Sequence, residues 1–542
     1  MTVEFPSLHA GFLKSAERVP DSAALTIEGR SWTYGEVDRT ARRWAAAILE
    51  ATRRPPQRVA VFGARSEVAS VGVLAALFSG AGFVPLGPTL PVDRTRRMIR
   101  AAGLDAVIAD HRAVPHLAGA LEGSGTLPVL LPASARSDVS GLEGPVLDRA
   151  DLARTVPMGS VATTAAADSL AYLLFTSGST GVPKGVPISH GNVVHFLEGA
   201  GRRYGLTAED RLTQTFEPIF DLSVFDLFMA WGSGACVCVP RPIDLVSPFR
   251  FVRENGISVW FSVPSVATLL RRKGLLQPGT LESLRWSLFC GEALSRATAE
   301  DWQDAAPNAA LENLYGPTEL TIACTAYRWD PERSPEECVR GLVPIGRLND
   351  GLHVLVVDRE LRPVPPGEPG ELCVAGPQTF AGYWNDPAAT EVAFLVRTGP
   401  AGEPLRYYRT GDLAQSSPSG DLAFLGRLDH QVQVMGRRVE LGEVEAVLRA
   451  DPSVTDVAAI PWEGEDGTVE GIAAFVSGAV ADPGKLTAAV RSQLPSYMVP
   501  RTIRVLENLP LGGNGKVDRE RLRAELEGQA DGLAGVASPA GS

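Results

Sequence analysis

The chain has 542 residues, 45% of them hydrophobic and 21% charged, and a formal charge of −12 from 51 Lys and Arg against 63 Asp and Glu. That length supports more than one buried core, and the composition is that of an ordinary globular enzyme. The acidic balance argues against sequence-independent nucleic-acid binding. Six scattered cysteines, at 236, 238, 290, 324, 338 and 373 with no nearby histidine pair, argue against a zinc site or a disulfide framework. No apolar run reaches about 18 residues and no basic-then-apolar leader opens the chain, so neither a membrane partner nor export is expected and the location is expected to be cytoplasmic.

In chain order, Thr40–Leu49 and Val68–Phe78 read as helices, and Val59–Phe62, Ala106–Ala109 and Val129–Leu131 as strands. This alternation continues to about residue 428 and predicts an α/β domain of layered, largely parallel sheets with helices. Beyond it the style changes. Gln431–Val434, Gly436–Val439, Val454–Pro461, Gly471–Val476 and Thr502–Val505 read as short strands, and Leu441–Arg449 and Lys485–Leu494 as helices. The expected organisation is a large domain over 1–428, a small α+β domain over 429–525, and a disordered tail over 526–542 rich in Gly, Ala and Ser.

The most informative segment is Leu170–Phe175, an apolar run expected to be a buried strand, followed by Thr176-Ser177-Gly178-Ser179-Thr180-Gly181-Val182-Pro183-Lys184-Gly185. Hydroxyls, glycines and one ammonium in such a loop can surround a polyphosphate. It is not a Walker A loop, because Pro183 precedes Lys184 and Gly185 follows it. Taken alone, a Ser/Gly loop could equally be a linker. Five further motifs follow in order: Asn313-Leu314-Tyr315-Gly316-Pro317-Thr318-Glu319, Tyr408-Arg409-Thr410-Gly411-Asp412, Gly426-Arg427-Leu428-Asp429, Gly436-Arg437-Arg438-Val439-Glu440 and Asn514-Gly515-Lys516-Val517-Asp518-Arg519. Together, from about Phe12 to Leu522, they resemble the adenylate-forming superfamily of acyl- and aryl-CoA synthetases, luciferases and nonribosomal peptide synthetase adenylation domains.

The resemblance implies ATP and Mg²⁺ as cofactors and assigns roles by position. Thr176, Ser177, Gly178, Ser179, Thr180, Gly181 and Lys184 would contact the β- and γ-phosphates, Thr318 the α-phosphate, and Glu319 the magnesium ion. Asp412 would accept both ribose hydroxyls and Arg427 would make a second ribose or phosphate contact. Gly291, Glu292, Asn313, Tyr315 and Gly316 would surround adenine, with Tyr315 stacking and Asn313 reading the amino edge. Lys516, on a glycine-rich loop, would bridge the substrate carboxylate and the α-phosphate, and the small domain would be mobile about a hinge at Asp429. Read without the resemblance, Glu319 is a helix-start residue, Asp412 a turn cap, and the Lys516 loop a plain turn.

Asp221, in Phe220-Asp221-Leu222-Ser223-Val224-Phe225, opens an apolar stretch where an unpaired carboxylate would be costly and a ligand ammonium would pair it. In amino-acid-activating relatives an aspartate here binds the α-amino group; a helix N-cap is the plainer reading. The remaining positions of the family's specificity pocket are Leu222, Phe225, Ser262, Leu288, Cys290, Leu314, Ile322 and Ala323, with Lys516 closing it. They are apolar apart from Ser262 and Cys290, which suits a small neutral amino acid: alanine first, then serine and glycine. Leu288–Glu292 also resembles D-alanine–carrier-protein ligases. The tail is too short for a carrier domain, so the acyl or peptidyl carrier protein is expected to act in trans. Gln433 stands where the family usually has lysine, a departure that bears on the thioester-forming step. The competing functions are a CoA ligase for an aliphatic or aryl acid, and a catalytically silent binding relative.

Overall fold

A computed structural model describes residues 5–52, 54–178, 183–429, 431–464, 468–478, 481–511 and 517–534, with the side chains of residue 5 and of 527–534 left aside. The chain divides into two compact units. The first spans 1–176 and 184–429, and the second spans 177–183 and 430–542.

Two large sheets dominate the first unit. The seven-stranded one runs in the order Lys184–Ser189, Leu170–Thr176, Gly82–Leu86, Arg58–Phe62, Ala106–Ala109, Val129–Leu131, Val146–Asp148, parallel except at the antiparallel first pair. The nine-stranded one is parallel through Ala310–Tyr315, Trp286–Phe289, Val259–Ser262, Arg211–Thr213, Cys236–Val239 and Ala23–Ile27, with antiparallel strands at its ends. One apolar core gathers Val59, Val61 and Ile108 of the first sheet and Leu25, Val237 and Val259 of the second around the helices Glu67–Phe78 and Leu222–Ser233. Both helices are apolar on nearly every face, as burial between sheets demands. The first starts where the Ser66 hydroxyl accepts the Ala69 N–H.

An antiparallel sheet built on the long strand Pro404–Ser416, flanked by Pro369–Ala375, Phe394–Thr398 and Leu422–Arg427, completes this unit. The alternating pattern read from the sequence did not anticipate it. It also corrects the turn-cap reading of Asp412, which lies within Pro404–Ser416 and pairs with Arg427. Gly411 just before it has φ +71°, a left-handed conformation that costs glycine little.

In the second unit, the hairpin Gln431–Val434 with Arg437–Glu440 leads into helix Leu441–Arg449. The sheet Asp456–Glu463, Val469–Ser477, Thr502–Leu506 packs with helix Pro483–Gln493. The tail differs from expectation: helix Arg519–Ala534 runs well past residue 526, because Leu522 and Leu526 recur four apart and pack on Ile460 and Phe475. Residues 535–542 lie outside the described residues. No helix among the described residues is long and apolar enough to cross a membrane.

Candidate active site

Asp221 is 6% exposed and sits immediately before helix Leu222–Ser233. Its side chain makes no capping bond, which sets the N-cap reading aside. Instead Oδ2 accepts the backbone N–H of Ile322 at 3.1 Å, and burial pushes the carboxyl up to about 6, with Ile322 holding it down and Glu319 raising it. A buried carboxylate whose donors are neutral backbone N–H groups, of Ile322, Leu222 and its own residue, keeps a charge that a cation can pair.

Beside it, Leu222, Phe225, Leu288, Cys290, Leu314, Ile322 and Ala323 belong to one buried apolar cluster. Phe225 meets Phe261 and Tyr204 edge-to-face, at 4.9 and 5.7 Å between centroids. Burial, aided by the Asp221 charge, pushes the Cys290 thiol up to about 12, so it behaves as a small apolar group. Strand register separates Ser262 from this group. Phe261 lies opposite Leu288, and Ser262 opposite Phe289, whose ring faces Trp302. Successive side chains alternate faces, so Ser262 points away from Leu288. Its hydroxyl accepts the Trp260 indole N–H at 2.9 Å and donates to the Val263 carbonyl at 3.1 Å. The expectation that Ser262 lines the same pocket is therefore corrected.

The nucleotide residues form a second group. The Tyr315 hydroxyl donates to Asp412 Oδ2 at 2.5 Å, and Arg427 Nη1 donates to Asp412 Oδ1 at 2.6 Å. The Asp412 charge and burial push the Tyr315 phenol well above its usual range, burial contributing most. Gly316 is required next to it, because a Cβ there would lie 2.6 Å from the Ala323 Cα. Asn313 shares the Phe289 face. Its amide nitrogen donates to the carbonyls of Val343 and Pro344 at 3.3 and 2.9 Å, leaving Oδ1 buried without a partner among the described residues. That orphaned acceptor suits the amino group of an adenine, so the expected role passes to the oxygen alone. The Glu292 carboxylate accepts the Ser265 N–H at 2.8 Å at the start of helix Pro264–Arg272. Gly291, with φ +93°, carries the chain out of strand Trp286–Phe289.

At the phosphate end, Thr176 and Lys184 are directly paired across the hairpin. Thr318 opens a single 3₁₀ turn, Thr318–Leu320, rather than the start of a longer helix. Glu319, fully buried, accepts the Tyr383 hydroxyl at 2.9 Å, and the Lys184 ammonium stands 5.2 Å from the Tyr383 ring centroid. Tyr383 thus joins two assigned residues and was missed in the sequence, where only the aromatic pair Tyr383-Trp384 after Gly382 marked it. Among the described residues no group of three or more His, Cys, Asp and Glu could hold a metal, so a cation here would rely on Glu319 together with substrate phosphates, the usual pattern for Mg²⁺. Ser177 and Gly178 group with the second unit, where Ser177 donates to the Arg438 carbonyl at 3.0 Å. Ser179, Thr180, Gly181 and Lys516 lie outside the described residues.

The fold and these two groups of residues are those of an adenylate-forming enzyme. Residues 12–384 match the AMP-binding enzyme family and residues 443–516 the AMP-binding enzyme C-terminal domain, and the chain belongs to that family. Among curated relatives it is 36% identical over 537 residues to phosphinothricin tripeptide synthetase PhsC of Streptomyces viridochromogenes, covering 97% of this chain and 46% of that one. The chain spans less than half the length of the curated relatives it matches. Among solved structures, IdnL7 is 42% identical with a TM-score of 0.72, covering 97% of this chain and 99% of that one. The Vibrio cholerae adenylation domain AlmE, in complex with glycyl-adenosine-5'-phosphate, is 30% identical with a TM-score of 0.84, covering 96% and 98%.

Proposed function

We propose that this chain activates a small neutral amino acid, alanine first and serine or glycine next, and passes it to the phosphopantetheine thiol of a separate carrier protein. The substrate carboxylate oxygen attacks the α-phosphorus of ATP, the bond to the bridging oxygen breaks, and pyrophosphate leaves with the electron pair. A thiolate then attacks the aminoacyl carbonyl and AMP departs. The observation that carries the amino-acid reading is Asp221: a buried carboxylate beside an apolar cluster, whose donors, Ile322 among them, are neutral backbone N–H groups, suits an α-ammonium. The glycyl adenylate in AlmE, a structural neighbour along nearly its whole length, supports a small substrate.

Each assigned residue has a physical task. Asp412, held by Tyr315 and Arg427, would fix the ribose; Lys184 and the Thr176 loop would meet the phosphates; Thr318 would sit at the α-phosphate. Glu319 would hold Mg²⁺, which when bound offsets phosphate charge. Lys516 would neutralise charge shifting toward the leaving group. ATP–pyrophosphate exchange across a panel of amino acids and simple carboxylic acids tests the reading. Exchange should be strongest with alanine, serine or glycine and weak with propionate or benzoate. Equal exchange with propionate would favour the CoA-ligase alternative instead.

A further inference from the structure

Thr321 and Ile322 have φ of +60° and +69°. Both are β-branched, and the left-handed region is a genuine outlier for such residues, kept only where the surroundings over-determine it. The same two residues form the peptide whose N–H is bound by Asp221. What holds them lies 55 to 58 residues further along the chain. Gln378 is fully buried, and its amide nitrogen points at three carbonyls of this turn: Ala323 at 2.8 Å, Leu320 at 3.1 Å and Thr321 at 3.4 Å. Its Oε1 accepts Asn349 Nδ2 at 3.1 Å, and the same Asn349 nitrogen donates to the Ala323 carbonyl at 2.8 Å. The Thr321 hydroxyl donates to the Gln378 carbonyl at 2.6 Å.

The carbonyl and N–H of a trans peptide point in opposite directions. Drawing the Thr321 carbonyl toward Gln378 therefore turns the Ile322 N–H toward Asp221. The two side chains grip opposite edges of one peptide plane, and the next residues, Ile322 and Ala323, are pocket positions.

We propose that Gln378 is a positioning residue for amino-acid selection: it imposes the left-handed turn at Thr321–Ile322, and through that turn orients Asp221 and two walls of the pocket. This rests on the proposed amino-acid activation. Among the described residues Gln378's side-chain hydrogen bonds go to Leu320, Thr321, Ala323 and Asn349, none of them assigned to the nucleotide, so its loss should weaken use of the amino acid and leave use of ATP nearly unchanged.

The test uses the full chain carrying Gln378→Ala, and Gln378→Glu, which keeps the shape and replaces the donor by an acceptor. The expected result is an alanine KM in pyrophosphate exchange raised by about tenfold, the cost of leaving buried carbonyls without their donor, with the ATP KM within about twofold. Without substrate, amide hydrogen exchange across 321–324 should quicken. Adding Thr321→Gly to Gln378→Ala should restore part of the alanine KM, because glycine takes a positive φ without a clamp. Unchanged alanine KM and amide exchange would overturn the proposal, as would equal rises in both KM values with no rescue by Thr321→Gly. If the unaltered chain shows no amino-acid-dependent exchange, the proposed function falls and selection by Gln378 falls with it. Wild-type exchange with an unaffected Gln378 variant overturns the Gln378 proposal alone. Should Gln378→Ala not fold, Gln378→Glu carries the same comparisons.

Discussion

Arg427 donates to Asp412 Oδ1 at 2.6 Å while its other nitrogens make a two-pronged pair with Asp429, at 2.8 and 2.6 Å. The Tyr315 hydroxyl holds the opposite oxygen of Asp412. The carboxylate assigned to the ribose is thus fixed from both sides and faces no rotameric choice on binding. Asp412→Asn keeps the size and loses the charge that Arg427 pairs with. The expected outcome is an ATP KM raised about tenfold and an alanine KM within about twofold. An unchanged ATP KM would remove Asp412 from the nucleotide site.

Asp429 closes the first unit, and its bond to Arg427 ties the proposed hinge to the nucleotide residues. Proline there fixes φ and should impair a rotation of the small domain between the two half-reactions. Asp429→Pro should therefore slow aminoacyl transfer to a carrier far more than pyrophosphate exchange. Equal slowing would show that no alternation at Asp429 separates the steps. Gln433 is exposed on strand Gln431–Val434, directly across from Arg438. Gln433→Lys should leave exchange unchanged and, in single-turnover transfer, restore a cation to the position and speed thioester formation.

Asp221 gives a pH signature with a definite sign. Burial raises its carboxyl from 3.8 to about 6, so the folded, ligand-free chain holds this proton more tightly than the unfolded chain does. Its contribution to stability is fully present below the unfolded value and is lost as pH rises through about 6. Asp221→Asn should therefore gain stability relative to the unaltered chain as pH rises from about 4 to about 6 and keep that gain above it, by at most about 3 kcal/mol. Ammonium binding needs the anion, so kcat/KM for alanine should rise through about pH 6. Thermal melts and pH–rate profiles of the two proteins check both. A melting difference that does not change with pH would contradict the buried-carboxyl account.

The motif residues and the strand-to-loop transitions were legible because they depend on local pattern: a β-branched run, a Gly-rich loop, an acid after Pro-Thr. Side-chain partners across the fold were not. The Glu292 carboxylate follows a strand end, and its bond to the Ser265 N–H on a neighbouring helix has no signal in the spacing. Ser262 and Asn313 fall on the face away from Leu288 because of register between parallel strands, and register is set by packing rather than by either strand alone. Gln378 left no trace, since a buried amide that meets three distant carbonyls has no spacing of its own. Leu522 and Leu526 did carry a helical period, masked by the glycine and alanine that follow.

Lys516, in a glycine-rich stretch of the sequence, is assigned to the charge that develops during adenylate formation. A contact made chiefly in the transition state lowers kcat when removed and spares KM. Lys516→Ala should reduce exchange by about a hundredfold or more with circular dichroism unchanged. Exchange within about twofold of the unaltered chain would remove Lys516 from the mechanism.

The most direct measurement compares alanine with propionate in pyrophosphate exchange, in the unaltered chain and in Asp221→Ala. The two substrates differ at the α-ammonium, the group that the buried carboxylate beside Ile322 is proposed to bind. A charge-assisted contact contributes about 1.5–3 kcal/mol, so alanine should lose about one to two decades of kcat/KM while the weak exchange with propionate stays within about twofold. Equal losses for both substrates would make Asp221 a structural carboxyl and contradict amino-acid activation at this site.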